Sequence, residues 1–202
     1  MAAIHWFRGS IQVVACKAGS CCLCQLPQSS TKGFALSGNS AIPAGTRIGH
    51  VHLKVASVQR ALDFYCGVLG FELQQMYGAQ AAFVSAGGYH HHIGLNSWES
   101  EGGAPPPPGT TGLFHLAILY PERADLAAAL KRLIAHRVPL DGASDHGVSE
   151  ALYLHDPDHN GIELYWDRPQ DQWPRNPDGS LAMFTRRLDL DDLLNTQTKR
   201  KK

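Results

Sequence analysis

Residues 87–98 read GGYHHHIGLNSW, which places His90, His91 and His92 in one unbroken run. Imidazole ligates transition metals and moves protons near neutral pH, so the run could serve as a metal cluster or hold a catalytic base. It is flanked by Phe83, Val84, Ile93 and Leu95. That setting reads as a strand, whereas a tag-like chelating run would lie in a flexible, low-complexity segment. Neighbouring side chains on a strand point to opposite faces. On this reading His90 and His92 look into one space and His91 looks away.

Cysteine is the other residue type with obvious chemistry. Four of the five cysteines (Cys16, Cys21, Cys22, Cys24) fall in the first 24 residues, and only Cys66 lies in the body. A disulfide framework would spread its cysteines through the fold. Cys21 and Cys24 form a C-x-x-C, but no second pair or histidine follows at zinc-finger spacing. The cysteines point to a reducing, cytoplasmic setting.

The elements that must position the histidines form a repeat. IGHVHLKV, from Ile48, alternates as a strand: His50, His52 and Lys54 share one face and Val51, Leu53 and Val55 the other. The helix that follows buries Val58, Leu62, Tyr65 and Leu69, and Gly70 suits its C-terminal stop. Two short strands joined through Gly87-Gly88 come next. GLFHLAILY then restarts the plan with His115, followed by a helix from about Glu122 to His136 with Leu126, Leu130 and Leu133 inward. SEALYLHDPDHNGIELYWDRP supplies two strands around the turn Asp156–Gly161, whose Pro, Asp and Asn-Gly suit a tight connection. ESEGGAPPPPGTTG separates the copies as a stiff surface linker.

Composition narrows the function classes. Lysine plus arginine and aspartate plus glutamate number 18 each, so no global field favours nucleic acid or an anionic membrane. The basic terminus Lys199–Lys202 reads as a solvated tail. No apolar run approaches the ~20 residues needed to cross a bilayer. Residues 1–46 contain no acidic residue and many Ser, Gly and Ala. They read as a disordered extension, with a transit peptide or a misassigned start as alternatives.

The two-copy βαβββ plan, with FYCGVLGF closing the first helix and GASDHGVSEALYLHDPDHNGIELYWDRP closing the second copy, resembles the vicinal oxygen chelate superfamily. That superfamily includes glyoxalase I, fosfomycin-resistance and bleomycin-binding proteins and the extradiol catechol dioxygenases. The stretch DRPQDQWPRNPDGSLAMFTRRLDLDDLL resembles the tail of catechol-2,3-dioxygenase-like members. The resemblance implies an α+β fold in which two paired βαβββ modules make one domain, with a metal trough between curved sheets. The implied divisions are a domain over 47–168 (module one 48–98, linker 99–112, module two 113–168) and a tail over 169–202 that packs on the domain or trails it.

The resemblance also implies a site. His50 and His115 hold equivalent frames, His-x-x-Leu-x-Val and His-x-x-Ile-x-Tyr, and Glu163 lies on the last strand of copy two. These match the family's metal ligands. Two imidazoles and one carboxylate leave one face of an octahedral metal open, as Fe(II) needs to take a bidentate substrate and O2. Mn(II) is the alternative metal. Glyoxalase I resembles this set but normally adds a carboxylate at the end of copy one, where this chain has histidines and no acid between Glu72 and Glu99. The match for the pocket histidine of extradiol enzymes falls on His91-His92, with His92 preferred as the acid/base. Tyr153 is the implied hydrogen-bond donor to substrate, or else a core aromatic, and His146 a second pocket histidine. His52, His136, His155 and His159 read as structural, and Trp98 and Trp166 as packing.

The resulting expectation is a cytoplasmic, metal-dependent extradiol dioxygenase acting on a catechol-like aromatic diol and O2. It has no nucleic-acid or membrane partner, and a homodimer is left open. A glyoxalase-like lyase or isomerase, and then a metal-free small-molecule binding protein, are the rivals.

Overall fold

The computed structural model describes residues 41–196. The expected extension over residues 1–46, its four cysteines included, lies almost wholly outside the described residues, as does the basic terminus.

The first module runs β1 (Val51–Lys54), α1 (Val58–Leu62), β2 (Glu72–Tyr77), β3 (Ala81–Ser85) and β4 (Ile93–Asn96). The second runs β5 (Leu116–Leu119), α2 (Arg123–Ala135), β6 (Gly142–Asp145), β7 (Ser149–His155) and β8 (Gly161–Asp167). The strand orders are β1-β4-β3-β2 and β5-β8-β7-β6. In each, the first strand pairs parallel with the last, and the other pairs are antiparallel. One topology is thus used twice, the paired βαβββ arrangement that the repeat implies.

The expected alternation in β1 holds, with Leu53 and Val55 buried and His52 and Lys54 exposed. The first helix differs from the reading. Ser57 caps α1 by accepting from the Arg60 amide, but after Leu62 the chain widens into a π-helical stretch, Asp63–Val68. Each π turn inserts extra backbone and shifts the phase of the side chains. Phe64 therefore joins Tyr65 inside, while Leu62 is left half-buried. In α2 the expected Leu126, Leu130 and Leu133 are all buried.

The turn between β7 and β8 ties the modules together. Asp156 is buried and accepts from the amides of Asp158 and Asn160 at 2.8 Å, the Asn160 side-chain amide, and the Tyr65 hydroxyl at 2.9 Å. Asp158 accepts from the Ala56 amide at 3.0 Å and the Arg60 guanidinium at 2.6 Å. What reads in sequence as turn chemistry is therefore also a clamp on the start of α1.

Beyond β8 the chain returns to module two. Strand β9 (Arg186–Arg187) pairs with β6, and α3 (Leu190–Leu194) buries Leu193. Arg123, at the start of α2, bonds Glu150, Asp192 and Thr196, and Arg168 also bonds Glu150. Among the described residues no helix is long and apolar enough to cross a membrane.

Candidate active site

Glu163 sits mid-strand in β8, with Ala117 of β5 opposite it on one side and Tyr153 of β7 on the other. Cross-strand partners share a face, and His115, two residues before Ala117, enters on that same face. The approach depends on Gly161. A Cβ there would overlap the carbonyl oxygen of Phe114, so only glycine lets the chain leading to His115 lie against the start of β8.

The side chains then connect. His115 Nε2 lies 2.9 Å from Glu163 Oε2. The Tyr153 hydroxyl donates to Glu163 Oε1 at 3.1 Å, and His146 Nε2 lies 2.8 Å from the same hydroxyl. Burial, followed by the charge and hydrogen bond of Glu163, pushes the Tyr153 phenol up to about 12. Tyr153 therefore holds its proton through the neutral range. Four of the six expected site residues (His115, Glu163, Tyr153 and His146) make one chain of contacts across module two.

The histidine run behaves differently. Strand β4 begins at Ile93, so His90 and His91 lie in the connection before it and strand parity does not govern that pair. Gly87 and Gly88 both take positive φ, 65° and 74°, and the chain regains backbone pairing at His92, whose amide bonds the Val84 carbonyl at 2.9 Å and whose carbonyl accepts from the Val51 amide at 3.0 Å. The His92 ring turns back to accept from the Ala86 amide at 3.3 Å and lies beside Tyr89. His91 takes the inner place: its ring centroid is 4.5 Å from His50 and 5.0 Å from Phe83. His90 Nδ1 meets His91 Nδ1 at 2.7 Å. Partial burial, then neighbouring His50, His90, His52 and His92, hold the His91 imidazole below its usual range. Of the two, His91 and not His92 lies against His50. His52 lies across Gly94, where any side chain would collide with its ring, and against Phe83 and Trp98.

The expected metal can be tested against these donors. Two ligand atoms each about 2.1 Å from one ion, at right angles, stand roughly 3 Å apart. The His115–Glu163 contact has that spacing. The two atoms stand at hydrogen-bond distance, and His115 Nδ1 is buried without a hydrogen-bond partner. The adjacent pair fits a divalent cation. Among the described residues no three His, Cys, Asp or Glu side chains are close enough to hold a metal ion, so His50 is not joined to the pair in this structure.

Sequence reasoning missed the part played by the C-terminal stretch. His146 Nδ1 lies 3.2 Å from the Thr185 hydroxyl and 3.3 Å from the Phe184 carbonyl. No spacing rule links positions 39 apart in sequence.

The comparisons with known proteins follow the same divisions. Residues 47–164 match the model of the Glyoxalase/Bleomycin resistance protein/Dioxygenase superfamily. A catechol-2,3-dioxygenase of Bacillus subtilis is 42% identical over 156 residues, 77% of this chain and 53% of the relative. Biphenyl-2,3-diol 1,2-dioxygenase 3 of Rhodococcus globerulus is 31% identical over 125 residues, 60% of this chain and 63% of the relative. The chain thus spans less than two thirds of the length of these relatives. Among solved structures, a glyoxalase/dioxygenase from Nostoc punctiforme aligns with a TM-score of 0.53 at 20% identity, covering 66% of this chain and all of the other. A domain from Frankia sp. EAN1pec aligns with a TM-score of 0.52 at 19% identity, covering 62% and 94%. Those two speak to the fold alone. With the βαβββ plan present twice and the matched span running from the start of β1 into β8, this chain belongs to the glyoxalase/bleomycin resistance protein/dioxygenase superfamily.

Proposed function

We propose that this chain is an extradiol-type ring-cleaving dioxygenase that uses O2 on a catechol-like aromatic diol. The observation that carries the reading is the contact chain His115–Glu163–Tyr153–His146. It sets His115 and Glu163, the proposed ligand pair, beside a phenol that keeps its proton and a histidine behind that phenol. The similarity to two diol dioxygenases supports the same chemistry.

Fe(II), with Mn(II) as the alternative, would be held by His115 and Glu163, with His50, which stands apart from that pair in this structure, as the third ligand the superfamily pattern implies. Once bound, it supplies a Lewis acid for both diol oxygens and open positions for a second reactant. The protein's own groups do the rest. Tyr153, whose proton points to Glu163 in this structure, turns it to a substrate oxygen when a diol enters, while its contact with His146 fixes the ring. His91, beside His50, is placed to take or return a proton, a contribution worth roughly 10²–10⁴ in rate. The run of histidines in place of an acid at the end of module one favours this branch over a glyoxalase-like lyase.

The test is oxygen uptake by the purified chain, loaded anaerobically with Fe(II) or Mn(II), across a panel of catechols. Turnover with stoichiometric O2 consumption is expected, and Glu163→Ala or His115→Ala should lose bound metal. Retained metal with no O2 uptake on any diol would move the assignment to the lyase or isomerase branch. A chain that binds no metal at all would leave a small-molecule binding protein.

A further inference from the structure

The His146–Tyr153–Glu163 chain carries a hydrogen-bond constraint that reaches the C-terminal stretch. A carboxylate only accepts, so the bond at Glu163 Oε1 uses the single proton of the Tyr153 hydroxyl. The hydroxyl oxygen can then only accept from His146 Nε2, 2.8 Å away. A neutral imidazole protonated at Nε2 bears a lone pair at Nδ1. Two groups face that lone pair, the Phe184 carbonyl at 3.3 Å and the Thr185 hydroxyl at 3.2 Å. A carbonyl cannot donate. Of the two, only Thr185 can satisfy the tautomer that leaves the Tyr153 proton on Glu163, and the Phe184 carbonyl favours the opposite one.

We propose that Thr185 is a positioning residue of the active site: its hydroxyl donates to His146 Nδ1 and so fixes the His146 tautomer that directs the Tyr153 proton toward Glu163. The stretch that carries Thr185 is registered onto the site. The Phe184 amide bonds the His146 carbonyl at 3.3 Å, and Arg186 and Arg187 pair with Asp145 and Ser144. Gly147 takes φ 78° and leaves no room for a side chain beneath Phe184 and Pro174. With Thr185 replaced by an isosteric apolar residue, the Phe184 carbonyl is left to choose the proton. The ring then protonates at Nδ1, and its Nε2 draws the Tyr153 proton away from Glu163.

The role in turnover rests on the proposed dioxygenase reading, but the tautomer does not, so the test reads the two separately. Ring-nitrogen NMR of the ¹⁵N-histidine-labelled, metal-free chain at pH 8 should show His146 protonated at Nε2. Thr185→Val should move the proton to Nδ1, and Thr185→Ser should restore Nε2. In the Fe(II)-loaded protein, Thr185→Val should lower kcat on catechols about tenfold or more, with KM, metal content and melting temperature little changed, and Thr185→Ser should recover most of the rate. A wild-type ring already protonated at Nδ1 would overturn the proposal. So would a Thr185→Val ring that stays at Nε2 because water serves as the donor. If the NMR shifts appear as expected while no catechol is turned over, the dioxygenase reading fails and the tautomer assignment stands.

Discussion

At the scale of single residues, the sharpest question concerns two adjacent histidines. On a regular strand they would face opposite ways, and parity selects His92. In the loop before β4 it is His91 that lies against His50 and Phe83, while His92 is spent on the Ala86 amide. His91→Phe should therefore retain bound metal yet lower turnover by roughly 10²–10⁴, the usual contribution of an acid/base group. His92→Phe should be the milder change, felt mainly as a loosened loop. Steady-state rates with parallel metal analysis decide between them, and the reverse order would return the role to His92. The superfamily pattern confined the choice to this pair, but only the observed placement of the two rings separates its members.

At the scale of elements, the site depends on how closely β5 and β8 can approach. Gly161→Ala would drive a methyl group into the Phe114 carbonyl, and backbone cannot yield as a flexible side chain can. A loss of about 1–3 kcal/mol is expected from such overpacking, along with weaker metal binding as His115 is displaced from Glu163. Urea titration and metal affinity measured on the same variant test both parts. If stability falls while affinity stays, Gly161 serves the turn and not the site. The C-terminal stretch offers a second element test. Glu150 is buried between Arg123 and Arg168, with contacts of 2.6 and 2.7 Å. Because both guanidiniums would lose their main partner, Glu150→Ala should cost about 3 kcal/mol. It should also free residues 186–194, visible as faster amide exchange in β9 and α3.

At the scale of the whole molecule, the clamp between modules predicts a response to alkali. Burial, reinforced by the charges of Asp156 and Asp158 and a hydrogen bond to Asp156, pushes the Tyr65 phenol far above its usual value. Tyr153 is pushed up to about 12, and burial raises Tyr120 and Tyr165 as well. A phenol ionises near 10 in the unfolded chain, so these groups stabilise the fold fully below pH 10. That contribution is lost as pH climbs through their folded values, because the unfolded state then releases protons that the folded state retains. Urea midpoints should fall steeply between pH 10 and 12. Tyr65→Phe should be less stable at pH 8 by about 2 kcal/mol, the worth of a hydrogen bond to a charged group, but should show a shallower alkaline decline. An equal slope in the variant would remove Tyr65 from this role.

What the sequence alone determined is the repeated strand–helix–strand plan, while four of the expected site residues came from its resemblance to the superfamily. The superfamily resemblance singles out His115, Tyr153, Glu163 and His146, and the pairing of Tyr153 with Glu163 across β7 and β8 follows the two-residue period legible in IELYW and SEALYLH. The packing of His91 rather than His92 against His50, the π-helical widening after Leu62, and Asp156 and Asp158 as a clamp on module one were decided by tertiary structure. So was the reach of Thr185 to His146, and so was the separation of His50 from the His115–Glu163 pair. Each of these depends on where an element stops or on which distant chain lies beside it. Such contacts arise from closing loops between positions far apart in sequence, and no local period encodes them.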